Sequence, residues 1–361
     1  MPSKQRIEYL DLAKGFCILL VVFFHATTYF PIQMPMPHAF KAIRLPLYFF
    51  LSGCFFKSYN GFFDFLKRKT NKLLIPFVFW FLLISVAIVY LYSLLGIHVA
   101  YSKPVGPLHE IVRLYQKEYF FNIPIWFLLC LFEINILFYL IYLISDKLFK
   151  HYKTLAICIL SLLFGTTALL LRNNDINLPF FIDSAMDNMP FFAFGYVCFR
   201  HTPILKPNST DKYTPIIITA LALFLYFFAP QVESINNHHA DIHTFVFRYL
   251  SGFAGALFII LLTKWIKYIP IIRWWGRYSI IILILHLFFM KHFVYIVRHY
   301  HLFTDHPWTA TWVILGITML CCSTAIPICK RFFPHVTAQK DLLPLRNLFP
   351  NKKKAISDNK S

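Results

Sequence analysis

The chain has 361 residues, of which 58% are hydrophobic and only 14% are charged. Soluble domains carry about 25% charged residues, so this composition excludes an ordinary soluble fold and indicates an integral membrane protein. The net charge of +19 does not indicate nucleic-acid binding, because the basic residues fall in short clusters between apolar runs and not along one stripe.

Apolar runs of membrane-spanning length follow one another along the chain. They lie near 11–30, 40–56, 73–95, 124–144, 154–171, 189–199 with its upstream flank, 214–229, 247–263, 279–297 and 308–329. We therefore predict an all-α fold, a polytopic membrane bundle of about ten transmembrane helices. Residues 1–335 are predicted to form the transmembrane domain, and residues 336–361 a basic cytoplasmic tail.

The distribution of basic residues predicts the orientation of the bundle. With the N-terminus inside, 25 of the 35 Lys and Arg residues lie in the two tails and in the inner loops. These inner loops are 57–72, 145–153, 200–213 and 264–278. The positive-inside rule then puts both termini in the cytoplasm. The first apolar run is not a cleaved signal peptide, because Asp11 interrupts its charged region and no A-x-A site follows.

The first predicted helix, "RIEYLDLAKGFCILLVVFFHA", carries ionisable residues at both ends. At 100° per residue, Asp11, Lys14 and His25 fall on one stripe. His25 follows Lys14 by eleven residues, about 16 Å along the axis, so it lies within the hydrocarbon. Such groups are costly in lipid and usually face the bundle interior. His25 either pairs with a neighbouring helix or exchanges a proton, and the second interpretation is favoured.

A basic cluster precedes the third apolar run, in "FLKRKTNKLLIPF". Lys69 and Lys72 are three residues apart, so they share one face of a helix. With Arg68 they are suited to binding phosphate. The alternative is that the cluster only anchors the chain at the cytoplasmic surface.

Two further polar residues occur inside apolar runs. His286 follows Ser279 by seven residues on one helix face, and Glu133 lies within "FLLCLFEINILF". Glu133 is predicted to point into the bundle, and His286 either packs there or has a functional role. The segment "HHADIH" is interpreted as a solvated loop. The eight cysteines include no CxxC pair, so no metal site is expected.

Six segments, in order, resemble the acyltransferase-3 family of integral membrane acyltransferases. They are "RIEYLDLAKG…VVFFH", "RLPLYFFLSGCFF", "KTNKLLIPF", "IWFLLCLF", "PFFAFGYVCF" and "WGRYSIIILILH". The resemblance spans essentially the whole chain and is closest to the fucose 4-O-acetylase-like branch, with Lys14 where many relatives have arginine. Lys69 and Lys72 also replace arginines, which keeps the charge but loses the bidentate geometry.

The resemblance implies transfer of an acyl group, usually acetyl, from cytoplasmic acyl-CoA to a sugar hydroxyl. The acceptor would be an envelope polysaccharide or its lipid-linked precursor, and the membrane a bacterial inner membrane. The implied donor-binding residues are Lys14, Arg68, Lys69 and Lys72. The implied catalytic residues are His25 as general base, Asp11, Glu133 and His286, the last two for acceptor binding or proton transfer. Asp183, Asp187 and Asn188 are candidates for binding sugar hydroxyls on the outer side. No bound cofactor is expected besides the donor, acyl-CoA.

Two other functions stay open at this point. One is a transporter or flippase for a lipid-linked sugar, and the other is a non-catalytic partner in polysaccharide export. A transporter of this kind predicts paired, repeat-related broken helices. The sequence shows no such repeat, which favours the enzyme.

Overall fold

The computed structural model of the chain describes residues 7–30, 32, 37–97, 107–118, 120–202, 205, 213–230, 242–303 and 305–344. These residues form helices and contain no β-strand, which confirms the all-α prediction. The helices are α1 (Glu8–Tyr29), α2 (Pro37–Cys54), α3 (Phe62–Leu94), α4 (Pro107–Gln116), α5 (Trp126–Leu148), α6 (Lys153–Asn173), α7 (Ile182–His201), α8 (Thr214–Phe228), α9 (Ile242–Ile266), α10 (Pro270–Arg277), α11 (Ser279–His299) and α12 (Pro307–Phe332). His238, His239 and Asp241 of the predicted polar loop lie outside the described residues.

Seven helices in the described part of the chain are long and apolar enough to cross a membrane: α1, α3, α5, α6, α9, α11 and α12. This supports a multi-pass membrane protein. The other three predicted spans correspond to α2, α7 and α8, so the total of ten stays a prediction. α8 has only 15 residues. α2 carries Lys41 and Arg44, and the first turns of α7 carry Asp183 and Asp187, which lowers the hydropathy of both.

α7 is buried by protein on several sides, because it packs against α2, α5 and α6. An aromatic cluster fills this region: the ring of Phe138 on α5 lies 4.9 Å from Phe192 and 5.3 Å from Tyr196, both on α7. A helix enclosed in this way need not be apolar on every face. Its polar residues can find partners on neighbouring helices instead of entering lipid.

Two pairs of glycines allow helix backbones to approach closely. A Cβ atom on Gly15 of α1 would lie 1.9 Å from the carbonyl oxygen of Ile272, and one on Gly276 of α10 would lie 1.8 Å from that of Asp11. Gly53 and Gly195 play the same reciprocal part between α2 and α7. Because only glycine fits at such crossings, these residues of the quoted motifs have a packing role.

α3 is widened into π-helical turns at Thr70–Leu74 and Phe81–Ile88. The first π-helical segment ends two residues before Pro76, whose ring nitrogen cannot donate a helical hydrogen bond. Widened turns of this kind often occur at functional sites.

The segment 333–344 lies against α3. The side chain of Asn71 accepts hydrogen bonds from the backbone of Leu342 and Leu343, and the indole of Trp80 donates to the carbonyl of Val336 at 2.8 Å. Residues 336–344, assigned above to the tail, therefore pack on the helical domain. Residues 345–361 lie outside the described part of the chain.

Ile7, Lys57, Lys150 and Arg200 surround one cavity at the same end of the bundle, which is called the basic end below. This is the end that the sequence predicts to face the cytoplasm. α1 begins there at Glu8, and His25 lies towards the opposite end of the same helix.

Candidate active site

His25 and His286 lie side by side inside the bundle. Their ring centroids are 5.3 Å apart, and the rings are tilted by 42°. His286 is fully buried, and its Nδ1 is 2.9 Å from the carbonyl oxygen of Ile282. A carbonyl only accepts hydrogen bonds, so Nδ1 carries the proton and Nε2 is left with a lone pair. This buried Nε2 has no hydrogen-bond partner. The pair therefore contains an imidazole in the tautomer that a base requires.

Two cations that the sequence analysis did not assign lie near this pair. The charges of Arg44 and Lys291 are close enough to act on His25. The guanidinium of Arg44 lies 3.5 Å from the ring centre of Phe24, and the ammonium of Lys291 donates to the carbonyl of Phe121. The sequence contains a signal that could have identified both residues, because each is a cation within or beside an apolar run.

The four cations predicted to bind the donor line one cavity of about 430 Å³, called the smaller cavity below. They are Lys14, Arg68, Lys69 and Lys72, and Arg277 of α10 joins them. Lys69 forms no ion pair with a described residue and lies 5.5 Å from the ring centre of Phe65. Lys72 pairs with Asp341 at 3.0 Å and donates to the carbonyl of Ala338.

Away from these cations, the wall of the smaller cavity is mostly apolar, formed by side chains such as Phe127, Leu128 and Leu283. His286 is on the same face of α11 as Leu283, three residues and about 4.5 Å further along the axis. Neither histidine itself lines the smaller cavity. The cavity thus runs from a cationic end towards the histidine pair and stops one helical turn before it.

Asp11 and Lys14 line a larger cavity of about 1260 Å³ at the basic end. Asp11 is buried, and its carboxylate is 3.6 Å from Nε of Arg277, which makes an ion pair that is too long for a hydrogen bond. Lys14 lines both cavities, with its ammonium 4.4 Å from the ring centre of Phe55. Both residues are therefore at the cationic end and not beside His25, although they share its helix.

A family-wide sequence comparison matches residues 7–326 to the acyltransferase-3 family, described as an acyltransferase domain. The chain belongs to the acyltransferase-3 family. It is accordingly a membrane acyltransferase. Comparisons with curated proteins and with solved structures found no match.

In this acyltransferase, Glu133 belongs to a different polar group from the histidines. It is half-buried beside the backbone of Phe181, with Asp183 and Lys117 close enough to act on it. One carboxylate oxygen has no partner, and Glu133 lines neither of the two cavities. The structure thus places His286 next to His25, whereas Glu133 lies in a separate polar group with Asp183 and Lys117.

Asp187 and Asp183, candidates for sugar binding, are already paired. Asp187 is buried and bonded to two arginines, to Arg172 at 3.0 Å and to Arg248. Asp183 pairs with Lys117. All of these residues are on or beside α7, which begins at Ile182 and so includes the upstream flank of the apolar run at 189–199. Their contacts favour a structural role over contact with a sugar.

Replacing Asp187 by asparagine is expected to lower the stability of the acyltransferase by about 1.5–2 kcal/mol, because two charge-assisted hydrogen bonds weaken and two arginines lose their counter-charge. Thermal unfolding of the purified protein measures this change. The KM for the acceptor should stay within about twofold, a shift below 0.5 kcal/mol. A large rise in that KM with unchanged stability would indicate that Asp187 binds the acceptor.

Proposed function

We propose that this protein is an O-acyltransferase that moves an acyl group, most simply acetyl, from acyl-CoA to a sugar hydroxyl. The observation that supports it best is the smaller cavity, which runs from five cations towards the pair of His25 and the buried His286 and ends one turn before it. The basic end faces the cytoplasm in this proposal, so that both termini are cytoplasmic and about ten helices cross a bacterial inner membrane.

The cations of the smaller cavity suit the phosphates of CoA. Lysine ammonium groups bind phosphate as point charges, and Arg277 and Arg68 add guanidinium donors. The apolar remainder of the cavity suits the pantetheine arm, which brings the thioester towards Leu283 and the histidines. Because the cavity ends before His286, the reaction requires the wall at Leu283 to move.

His25 acts as general base in this proposal. It takes the proton from the acceptor hydroxyl, whose oxygen attacks the thioester carbonyl. The cations of Arg44 and Lys291 stabilise the negative charge that develops on the carbonyl oxygen. When the carbon–sulfur bond breaks, the thiolate of CoA takes a proton from the imidazolium, so the products are the ester and free CoA. A two-step route through an acyl-imidazole uses the same pair and is distinguished by a burst of CoA release.

The acceptor proposed is a sugar of an envelope polysaccharide or of its lipid-linked precursor. His25 is about 16 Å beyond Lys14 along α1, so an acceptor approaching from the end opposite the donor can reach it. The fucose 4-O-acetylase-like branch is favoured by the sequence motifs. Neighbouring genes for polysaccharide synthesis would support this class of acceptor.

The proposal is tested by supplying membranes that contain the protein with labelled acetyl-CoA and following the label into glycan. Transfer that depends on the protein supports the proposal. If acetyl-CoA is never consumed but a lipid-linked sugar crosses vesicles that contain the protein, the flippase alternative is correct.

Replacing Lys69 by alanine is expected to raise the KM for acyl-CoA about tenfold, the value of one charge-assisted contact to phosphate. Lys69 is chosen because Lys72 already pairs with Asp341. The matched control is Lys67→Ala, which removes a charge from the same turn but lines neither cavity. Equal KM changes in the two variants would mean that the cluster acts only through its general field.

A further inference from the structure

Four buried polar atoms without hydrogen-bond partners belong to side chains that line the smaller cavity. Two of them, Nε of Arg277 and Oδ1 of Asp341, are held in ion pairs. The other two are the hydroxyl of Tyr48 on α2, whose residue is 8% exposed, and Oδ1 of Asn135 on α5, whose residue is 2% exposed. The hydroxyl of Ser279 lies beside that of Tyr48 but does not reach hydrogen-bond geometry with it. Buried polar atoms are almost always paired in folded proteins, so two orphans on one cavity indicate a ligand.

The free atoms define which groups a ligand must offer. Nδ2 of Asn135 already donates to the carbonyl of Leu131 at 2.6 Å. The atom of this side chain that is left without a partner is therefore Oδ1, which can only accept a hydrogen bond. Tyr48 presents a hydroxyl that can donate. The surrounding wall is apolar, with Phe127, Leu128 and Leu283. A fitting ligand is thus a narrow aliphatic chain with isolated N–H and C=O groups.

We propose that Asn135 and Tyr48 bind the amide groups of the pantetheine arm of the acyl donor. Oδ1 of Asn135 accepts from an amide N–H, and the hydroxyl of Tyr48 donates to an amide carbonyl. Pantetheine meets the description above, because it carries two amides in an otherwise flexible chain. A sugar is a poorer match, since its many hydroxyls would be left unpaired against an apolar wall. This inference rests on the proposed use of acyl-CoA and adds how the arm is recognised.

Tyr48→Phe is the decisive variant, because it removes only the orphan hydroxyl. The affinity of the purified full-length protein is measured by calorimetry for two probes, CoA and adenosine 3′,5′-bisphosphate. The second probe has the base and phosphates but no pantetheine. The expected result is an affinity for CoA that is about three- to tenfold weaker, with an unchanged affinity for the bisphosphate. Asn135→Leu should give the same pattern.

Stability separates this binding role from a structural one. Without ligand, Tyr48→Phe should melt at the same temperature as the wild type or higher, because it removes a buried hydroxyl that has no partner. The matched control is Tyr139→Phe, a buried tyrosine of α5 that lines neither cavity and should leave the affinity for CoA unchanged.

Three outcomes would overturn the inference. The first is an affinity for CoA that neither variant changes, as expected if ordered water alone satisfies the two atoms. The second is a loss of affinity that is equal for CoA and the bisphosphate. The third is a wild-type protein that binds neither probe, which would overturn the proposed donor as well and so is distinguishable from the first two.

Discussion

His25→Gln is expected to lower kcat for acyl transfer by at least about 100-fold, the usual contribution of a general base. Glutamine is similar in size and forms hydrogen bonds, but it cannot take a proton from the acceptor. The KM for acyl-CoA should change little, because His25 lines neither of the two cavities. Steady-state transfer from labelled acetyl-CoA, with folding checked by thermal unfolding, measures both parameters.

His292→Gln is the matched control for this experiment. His292 is on the same helix as His286, but Nδ1 is 2.6 Å from the carbonyl of Phe288 and Nε2 is 2.6 Å from the hydroxyl of Tyr92. Both ring nitrogens are thus engaged, and near-normal kcat is expected. A near-normal rate in His25→Gln would show that His25 is not the base and serves only in helix packing. Loss of activity only in His286→Gln would assign the base to His286, whose Nε2 is unpaired.

The positions of the helices could be predicted from the sequence because apolar runs and basic loops alternate along it. A helix is present at each of the ten marked ranges in the described residues, with ends that differ by several residues. α3 begins at Phe62, before the apolar run at 73, because its first three turns carry the basic cluster at the end of the bundle. Hydropathy detects the lipid-facing part of a helix and misses such polar extensions.

That the cations proposed to bind the donor line one cavity could be predicted only in part. Spacing alone put Lys69 and Lys72 on one face, and the resemblance added Lys14. Whether these residues surround one cavity depends on how α1, α3 and α10 pack, which a local pattern does not contain. The same applies to the ion pair between Lys72 and Asp341, whose partners are far apart in the chain.

The partners of the polar residues on α1 could not be predicted from the sequence either. The spacing of Asp11, Lys14 and His25 predicts that they share one side of α1, but it could not show that Asp11 pairs with Arg277 on α10. Nor could it show that Arg44 of α2 lies over the ring of Phe24, the residue before His25. Each of these contacts joins two helices, so it follows from packing and not from periodicity.

The close crossing of α1 and α10 is such a packing contact, and its loss is expected to have a large effect on stability. Gly276→Ala should lower the free energy of unfolding by about 3 kcal/mol or more, because the new methyl group would overlap a backbone carbonyl that cannot rotate away. The carbonyl oxygen of Asp11 lies 1.8 Å from the position of that methyl carbon. Thermal unfolding in detergent should show a midpoint lower by several degrees. Gly15→Ala should act in the same way from the other helix.

Gly316→Ala on α12 is the matched control, because a Cβ atom there meets no atom within 4 Å. It should be neutral or should stabilise the helix by about 0.5–1 kcal/mol, the usual gain of alanine over glycine. Moving α10 away from α1 also separates Arg277 from Asp11 and displaces two residues of the smaller cavity, Gly276 and Arg277. Surviving Gly276→Ala protein should therefore bind acyl-CoA more weakly as well. Unchanged stability together with unchanged binding would mean that α1 and α10 are not in close contact.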